Sequence, residues 1–308
     1  MKIHMGVDIG GTKILIGLLN SEGEILREKK YPMRRATQEE AEEAVFSSIA
    51  DFLSNDSPRP DTLGIGAVGH IDGDRGIWLQ SYNIPISHPV EMARLLEERY
   101  QIPVRMDNDV HCATLGEGRF GQGRQARCLL YCNLGTGLSA GVIDGGHLLR
   151  GADNYAGEVG YMYLNCGQDF KNLERVSSGG GLIEEARAGL ILEPESLLAR
   201  FQEEGRLHSA GIFDAAEQGD PLAARLADQA VLRLGAGLCN LMGIFNPDRV
   251  VFGGGAARDP RYLSRVEALV RERCPGETLR SLKFFGLSEL DGSRIGLIGA
   301  AALGMDLK

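Results

Sequence analysis

No stretch of the sequence approaches the length of a membrane span, and the N-terminus MKIHMGVDIG has no apolar run between a basic region and a small-residue cleavage site. Both absences predict a cytoplasmic protein without membrane contact. Positive charge is short as well: 33 Lys and Arg stand against 42 Asp and Glu, a net charge of -9. Nucleic acids and anionic membranes are held by basic faces, so the balance argues against both as partners. The six cysteines, Cys112, Cys128, Cys132, Cys166, Cys239 and Cys274, contain no C-x-x-C pair and no zinc-type spacing, and read as reduced core thiols. No G-x-x-x-x-G-K-[ST] occurs, which excludes a P-loop. There is no low-complexity linker, so any two lobes must exchange chain through short connections, expected near residues 110–120 and 290–296.

Glycine, by contrast, is abundant at 42 residues, which points to tight turns and close backbone approach. At 308 residues the chain can form two domains, each with its own core. Residues 6–26, GVDIGGTKILIGLLNSEGEIL, read as a three-stranded meander with turns at Gly10-Gly11-Thr12 and Ser21-Glu22-Gly23. Residues 131–151, YCNLGTGLSAGVIDGGHLLRG, repeat the plan, with Gly135-Thr136-Gly137 and Asp144-Gly145-Gly146 at the turns. The chain therefore reads as an internal duplication, with one Gly/Thr turn in each lobe. Helices are predicted over EEAEEAVFSSIADFLS and VEMARLLEERY, and from Asp220-Pro221 through Phe245. DRVVFGGGAA reads as a buried strand, three glycines and a helix, and the chain closes on the small-residue helix IGLIGAAALG.

One carboxylate, Asp8, lies inside the first apolar strand. An acid there costs free energy unless it has a partner or a task. DIGGTK can be a plain hairpin turn, or its backbone N–H groups, Thr12 and Lys13 can face phosphate oxygens while Asp8 holds Mg²⁺ through water. GTGLSA imitates a dinucleotide fingerprint, but apolar Val142-Ile143 and a second Gly turn follow where a helix is required. Gly253-Gly254-Gly255 can be strand–helix packing or a place for a nucleotide against bare backbone. MDNDVH puts Asp107, Asn108 and Asp109 at a strand end, as a helix N-cap or as a base for a hydroxyl proton. His70 and His111 lack metal-spaced partners and read as surface or core histidines.

Taken in order, DIGGTK, GAVGHIDG, DNDV, LGTG, GADNYAGEVGY, LERVSSG and DRVVFGGGA resemble the ROK family of sugar kinases, over Met5 to Gly304. The resemblance implies an α/β, duplicated ribonuclease-H-like, actin/hexokinase-type two-lobed ATPase fold. Its expected division is an N-terminal lobe, 1–115, completed by a C-terminal helix, 295–308, and a C-terminal lobe, 116–294. It implies Mg-ATP as donor, with Asp8, Gly10, Gly11, Thr12 and Lys13 as the first phosphate motif, Gly135, Thr136 and Gly137 as the second, and Gly253, Gly254 and Gly255 as the adenosine motif. Asp109 matches the catalytic base, and Gly69, Asn83, Asn108, Glu158 and Glu174 match positions around the sugar. The implied reaction is γ-phosphoryl transfer to a hexose hydroxyl, usually on C6, by a homodimer.

The sequence departs from the family at its zinc motif. Most relatives carry a His after E-x-G and a C-G-C-G-x-x-G-C run; here Tyr161 replaces the His and Cys166 alone of the cysteines remains. No structural zinc is expected, and because that His touches the sugar in relatives, Tyr161 bears on which sugar is taken. Ser139 is a milder departure after LGTG. Two other functions compete: a sugar-sensing or non-catalytic sugar-binding protein, as in the family's repressors, and another ATPase of the same fold. The repressors carry a helix-turn-helix before the first phosphate motif, which is not expected here because the motif begins at residue 6, and Glu158 and Glu174 would repel an anionic substrate.

Overall fold

The computed structural model describes residues 2–54, 58–165 and 169–306. It divides into two compact units, 1–125 with 146–156 and 289–308, and 126–145 with 157–288.

In the first unit, β1 (Ile3–Ile9), β2 (Lys13–Asn20) and β3 (Ile25–Pro32) form the antiparallel meander expected from residues 6–26. The next elements are α1 (Gln38–Ser54), β4 (Thr62–Ala67), a hairpin of β5 (His70–Asp72) and β6 (Ile77–Gln80), α2 (Met92–Tyr100), β7 (Val104–Asn108) and α3 (Asp109–Phe120). The main sheet runs β3-β2-β1-β4-β7, with β4 parallel to both of its neighbours. Its central strands are buried almost throughout because both faces are covered. Val45, Ile49 and Phe52 of α1 join Val7, Ile9, Ile14 and Ile65 on one face, and Leu297, Ile298 and Ala301 of the closing helix meet Leu15 and Leu19 on the other.

That closing helix, Ile295–Met305, explains its own composition. A Cβ on Gly64 would lie 1.8 Å from the Ala300 carbonyl, and one on Gly299 would lie 1.8 Å from the Cys112 carbonyl of α3. Helix, strand and α3 touch backbone to backbone, which only small residues permit.

In the second unit, β8 (Cys128–Leu134) and β9 (Leu138–Asp144) are antiparallel, and the sheet continues from β8 to β13 (Arg249–Gly253) and β14 (Phe284–Leu287) in parallel. Between them in the chain come β10 (His147–Leu148), which belongs with the first unit, the short strands β11 (Tyr163–Asn165) and β12 (Phe170–Asn172) and helices α4 (Leu173–Ser177), α5 (Gly179–Leu192), α6 (Leu197–Glu203), α7 (Ser209–Glu217) and α8 (Pro221–Phe245). Asp220 caps α8 by accepting from Ala223 N–H at 2.8 Å, and Asn246 closes it in the left-handed region, φ 46°. After β13 come α9 (Pro260–Arg273) and α10 (Gly276–Ser281), and the chain ends on α11 (Ile295–Met305). Tyr262 and Phe252 anchor the second core.

Three expectations need correction. Residue 115 cannot end a lobe because it lies inside α3, a continuous helix packed on α11, and the division falls after residue 125. Residues 146–156 return to the first unit instead of staying with the second, so the third strand of the second meander shrinks to His147–Leu148. The three glycines lead first into a 3₁₀ turn, Ala256–Arg258, before Asp259 caps α9.

Candidate active site

Asp8 is fixed at the C-terminal half of β1, opposite Leu15 on β2 and beside Gly66 on β4. Its carboxylate makes no hydrogen bond or ion pair among the described residues. Burial pushes its pKa up to about 6, against the pull of Lys13. Gly296, in the first turn of α11, leaves the room: a Cβ there would sit 2.7 Å from the Asp8 carboxyl carbon. The turn that follows is closed by Gly10 N–H donating to the Lys13 carbonyl at 2.9 Å, and it leaves Thr12 exposed. Gly11 lies against Asn83, whose carbonyl accepts from Arg35 Nη1 at 3.0 Å. Asp8, Gly10, Gly11, Thr12, Lys13 and Asn83 are therefore gathered at one edge of the first sheet. Arg35 joins them as a cation that the sequence reading left out.

At the next edge, Asn108 and Asp109 mark the passage from β7 into α3. Asn108 is the N-cap: its Oδ1 accepts from Val110 N–H at 2.8 Å and His111 N–H at 3.4 Å, while its Nδ2 donates to the Gly69 carbonyl at 2.9 Å. Asp109 is the first helical residue and half-exposed, where the helix dipole favours a carboxylate. Gly69 holds φ +114°, with the Gln80 carbonyl 2.2 Å from where a Cβ would lie, so no other residue fits.

Asp107, read from sequence only as part of the strand end, and His111, read as a surface or core histidine, form a buried polar pair at this edge. Asp107 is 0% and His111 3% exposed. Asp107 Oδ1 stands 2.8 Å from His111 Nδ1 and accepts from Asn108 N–H, and Oδ2 accepts from Arg150 Nε, each also at 2.8 Å. Burial would raise the Asp107 carboxyl, but the His111 hydrogen bond and the charges of His111 and Arg150 prevail and hold it below its usual value.

In the second unit, Gly135-Thr136-Gly137 forms the β8–β9 turn, with Gly135 N–H donating to the Gly137 carbonyl at 3.0 Å. The first residues of α5 roof it: Gly179 N–H and Gly180 N–H donate to the Gly135 and Thr136 carbonyls at 2.8 and 2.9 Å. Gly254, at φ +89°, lies so close that a Cβ would be 2.7 Å from Gly135 N, and Gly255 faces open space. The second turn and the Gly253–Gly255 run are thus one continuous backbone surface. Glu174, expected beside the sugar, accepts from Leu138 N–H at 2.8 Å through Oε2, at the foot of the turn and against Gly160. Glu158 and half-exposed Tyr161 flank the short 3₁₀ turn over residues 159–161, tied to β9 through Gly157, whose carbonyl accepts from Ala140 N–H at 2.8 Å. Cys166 lies outside the described residues. Among the described residues no group of three or more His, Cys, Asp and Glu is set to hold a metal, and no helix is long and apolar enough to cross a membrane.

The sequence profile of the ROK family matches residues 4–306. The chain belongs to the ROK family. A glucokinase of Thermotoga maritima is 32% identical to it, over 97% of this chain and 96% of its own. The crystal structure of a ROK family glucokinase from Streptomyces griseus, in complex with glucose and AMPPNP, superposes with a TM-score of 0.78 at 31% identity, covering 98% of this chain and 99% of its own. A xylose repressor of Caldicellulosiruptor bescii is 26% identical, over 87% of this chain and 70% of its own. The fold is accordingly the α/β, duplicated, two-lobed fold of actin and hexokinase type. ROK likeness runs to sugar kinases and also to a regulator, and the residues must decide between them.

Proposed function

We propose that this ROK protein is an ATP-dependent sugar kinase that transfers the γ-phosphoryl group to a hexose or hexose derivative, most simply at C6. The observation that carries this reading is Asp109, a half-exposed carboxylate at a helix start, next to a cap that takes up its neighbour Asn108. Asp109 accepts the hydroxyl proton as the hydroxyl oxygen bonds to phosphorus and the bond to the ADP oxygen breaks. A base of this kind contributes about 10²–10⁴ in rate. A non-catalytic sugar sensor would need no such group.

Phosphoryl transfer otherwise asks for positioning and charge neutralisation. Gly10 to Lys13 and Gly135 to Gly137 offer two turns for phosphate oxygens, and Gly253 to Gly255 offer bare backbone for the nucleoside. Asp8 fits hydrated Mg²⁺: it is a carboxylate without a protein partner that burial makes reluctant to stay charged alone. Bound there, the metal would neutralise phosphate charge. Gly69, Asn83, Asn108, Glu158, Tyr161 and Glu174 are assigned to the sugar, with the Glu174 oxygen left over from Leu138 serving it. Tyr161, in place of the His expected in relatives, bears on which sugar is taken; no structural zinc is proposed, and a homodimer is the assembly proposed.

The test is ADP formation by purified protein with Mg-ATP against a panel of hexoses, amino sugars and β-glucosides. Turnover with at least one sugar is expected. Silence across the panel, with a sugar still raising the melting temperature, would favour the sensing protein.

A further inference from the structure

Both ring nitrogens of His111 face acceptors. Nδ1 stands 2.8 Å from the Asp107 carboxylate and Nε2 3.1 Å from the Ala156 carbonyl. A neutral imidazole has one N–H, so either tautomer would leave one nitrogen lone pair against an oxygen lone pair, in a site from which water is excluded. We propose that His111 is a doubly protonated positioning residue that clamps the first turn of the Asp109 helix to the returning segment 146–156.

Three features give the clamp its mechanical sense. His111 lies two residues after Asp109, on the turn whose N–H groups Asn108 caps. Arg150, at the start of the returning segment, grips the other oxygen of the same carboxylate, so Asp107 binds that segment through Arg150 directly and through His111 to Ala156. Gly73 makes room for the pair: a Cβ there would lie 3.2 Å from the Asp107 carboxyl carbon and 3.3 Å from Arg150 Nε. The segment so held runs into Gly157 and Glu158, one of the positions assigned to the sugar. His111 therefore ties the helix start that carries Asp109 to the segment that ends at Ala156.

Several elements around His111 carry ionisable groups. β7 carries Asp107 and Arg105, the returning segment His147, Arg150, Asp153 and Tyr155, α3 itself Asp109, Cys112, Glu117 and Arg119, and β5 His70 and Asp72; of these, Asp107 and Arg150 act on the His111 charge. The adjoining β4 and α11 contain no ionisable side chain. Burial lowers the His111 pKa, but the Asp107 hydrogen bond and charge prevail, and the proton is retained above the usual 6.5. A group whose folded pKa is raised supports the fold below 6.5 and loses that support as pH climbs through the folded value. The clamp therefore opens on the alkaline side.

The inference rests on the kinase reading for its kinetic consequence only, and a direct measurement separates the two. With histidines labelled with ¹⁵N, wild-type protein should show one imidazole, removed by His111→Asn or His111→Gln, that keeps both protons past pH 6.5. A His111 that has already lost one proton at or below pH 6.5 would overturn the proposal whether or not any sugar is phosphorylated. With a sugar in hand, kcat/KM of wild type should fall at alkaline pH. His111→Asn, which hydrogen-bonds but does not titrate, should lose that limb, with kcat down tenfold or more at pH 7 and KM for ATP within twofold. An alkaline limb unchanged in His111→Asn would remove His111 from the positioning role.

Discussion

Asp8 and Asp109 are two carboxylates that their surroundings treat in opposite ways. Asp109 sits at a helix start, where the dipole favours its charge; Asp8 is desolvated by burial, with the Lys13 charge pulling the other way. Because the folded pKa of Asp8 lies above its usual 3.8, its ionisation costs stability as pH rises from 3.8 to about 6, and the full cost persists above that. Asp8→Asn should therefore stabilise the protein without nucleotide at pH 7, by on the order of 1–3 kcal/mol in urea denaturation, while abolishing Mg-ATP-dependent turnover. Unchanged or lowered stability would show that Asp8 has protein partners enough. The role proposed for Asp8 was legible in sequence because a lone acid in an apolar strand beside Gly-Gly is a local signal. Sequence placed His111 only as a surface or core histidine and did not show its setting: Asp107, the carboxylate it faces, also binds Arg150 from 43 residues away, and burial at a strand–helix junction leaves no pattern in one sequence.

Among the elements, α11 carries the tightest packing. Its small residues were readable as a close-packed helix, but its target was not, because contact between its backbone and those of β4 and α3 depends on the fold. The same blindness put a lobe boundary at residue 115, inside the helix on which α11 rests. Gly299→Ala should cost about 1–3 kcal/mol or more through overpacking, since the added methyl would fall on the Cys112 carbonyl. Gly276→Ala, where a Cβ meets nothing within 4 Å, is the control and should be close to neutral. Equal behaviour of the two variants in urea titrations would mean that α11 does not pack in this way. The first meander, by contrast, was legible strand by strand, and the second for its first two strands, because glycine-rich turns punctuate runs of Val, Ile and Leu.

At the scale of the whole molecule, ROK membership was readable because seven short motifs stand in register along one chain, each of which could be an ordinary turn or cap by itself. The units those motifs occupy each supply a glycine turn, and the first adds a carboxylate at a helix start. The departure from the family's zinc motif predicts that purified protein holds well under one zinc per chain and that a chelator leaves its melting temperature unchanged. One tightly held zinc per chain, with melting lowered on its removal, would contradict that expectation. The central claim is narrower: this chain moves a phosphoryl group, and Asp109 takes the proton. It is tested most directly by measuring, for the sugar that wild type phosphorylates, both turnover and calorimetric sugar affinity of Asp109→Asn. Turnover reduced at least a hundredfold, about the least that loss of a general base costs, with sugar affinity retained, is the predicted result. Near-normal turnover in Asp109→Asn would contradict it and take Asp109 out of the chemistry.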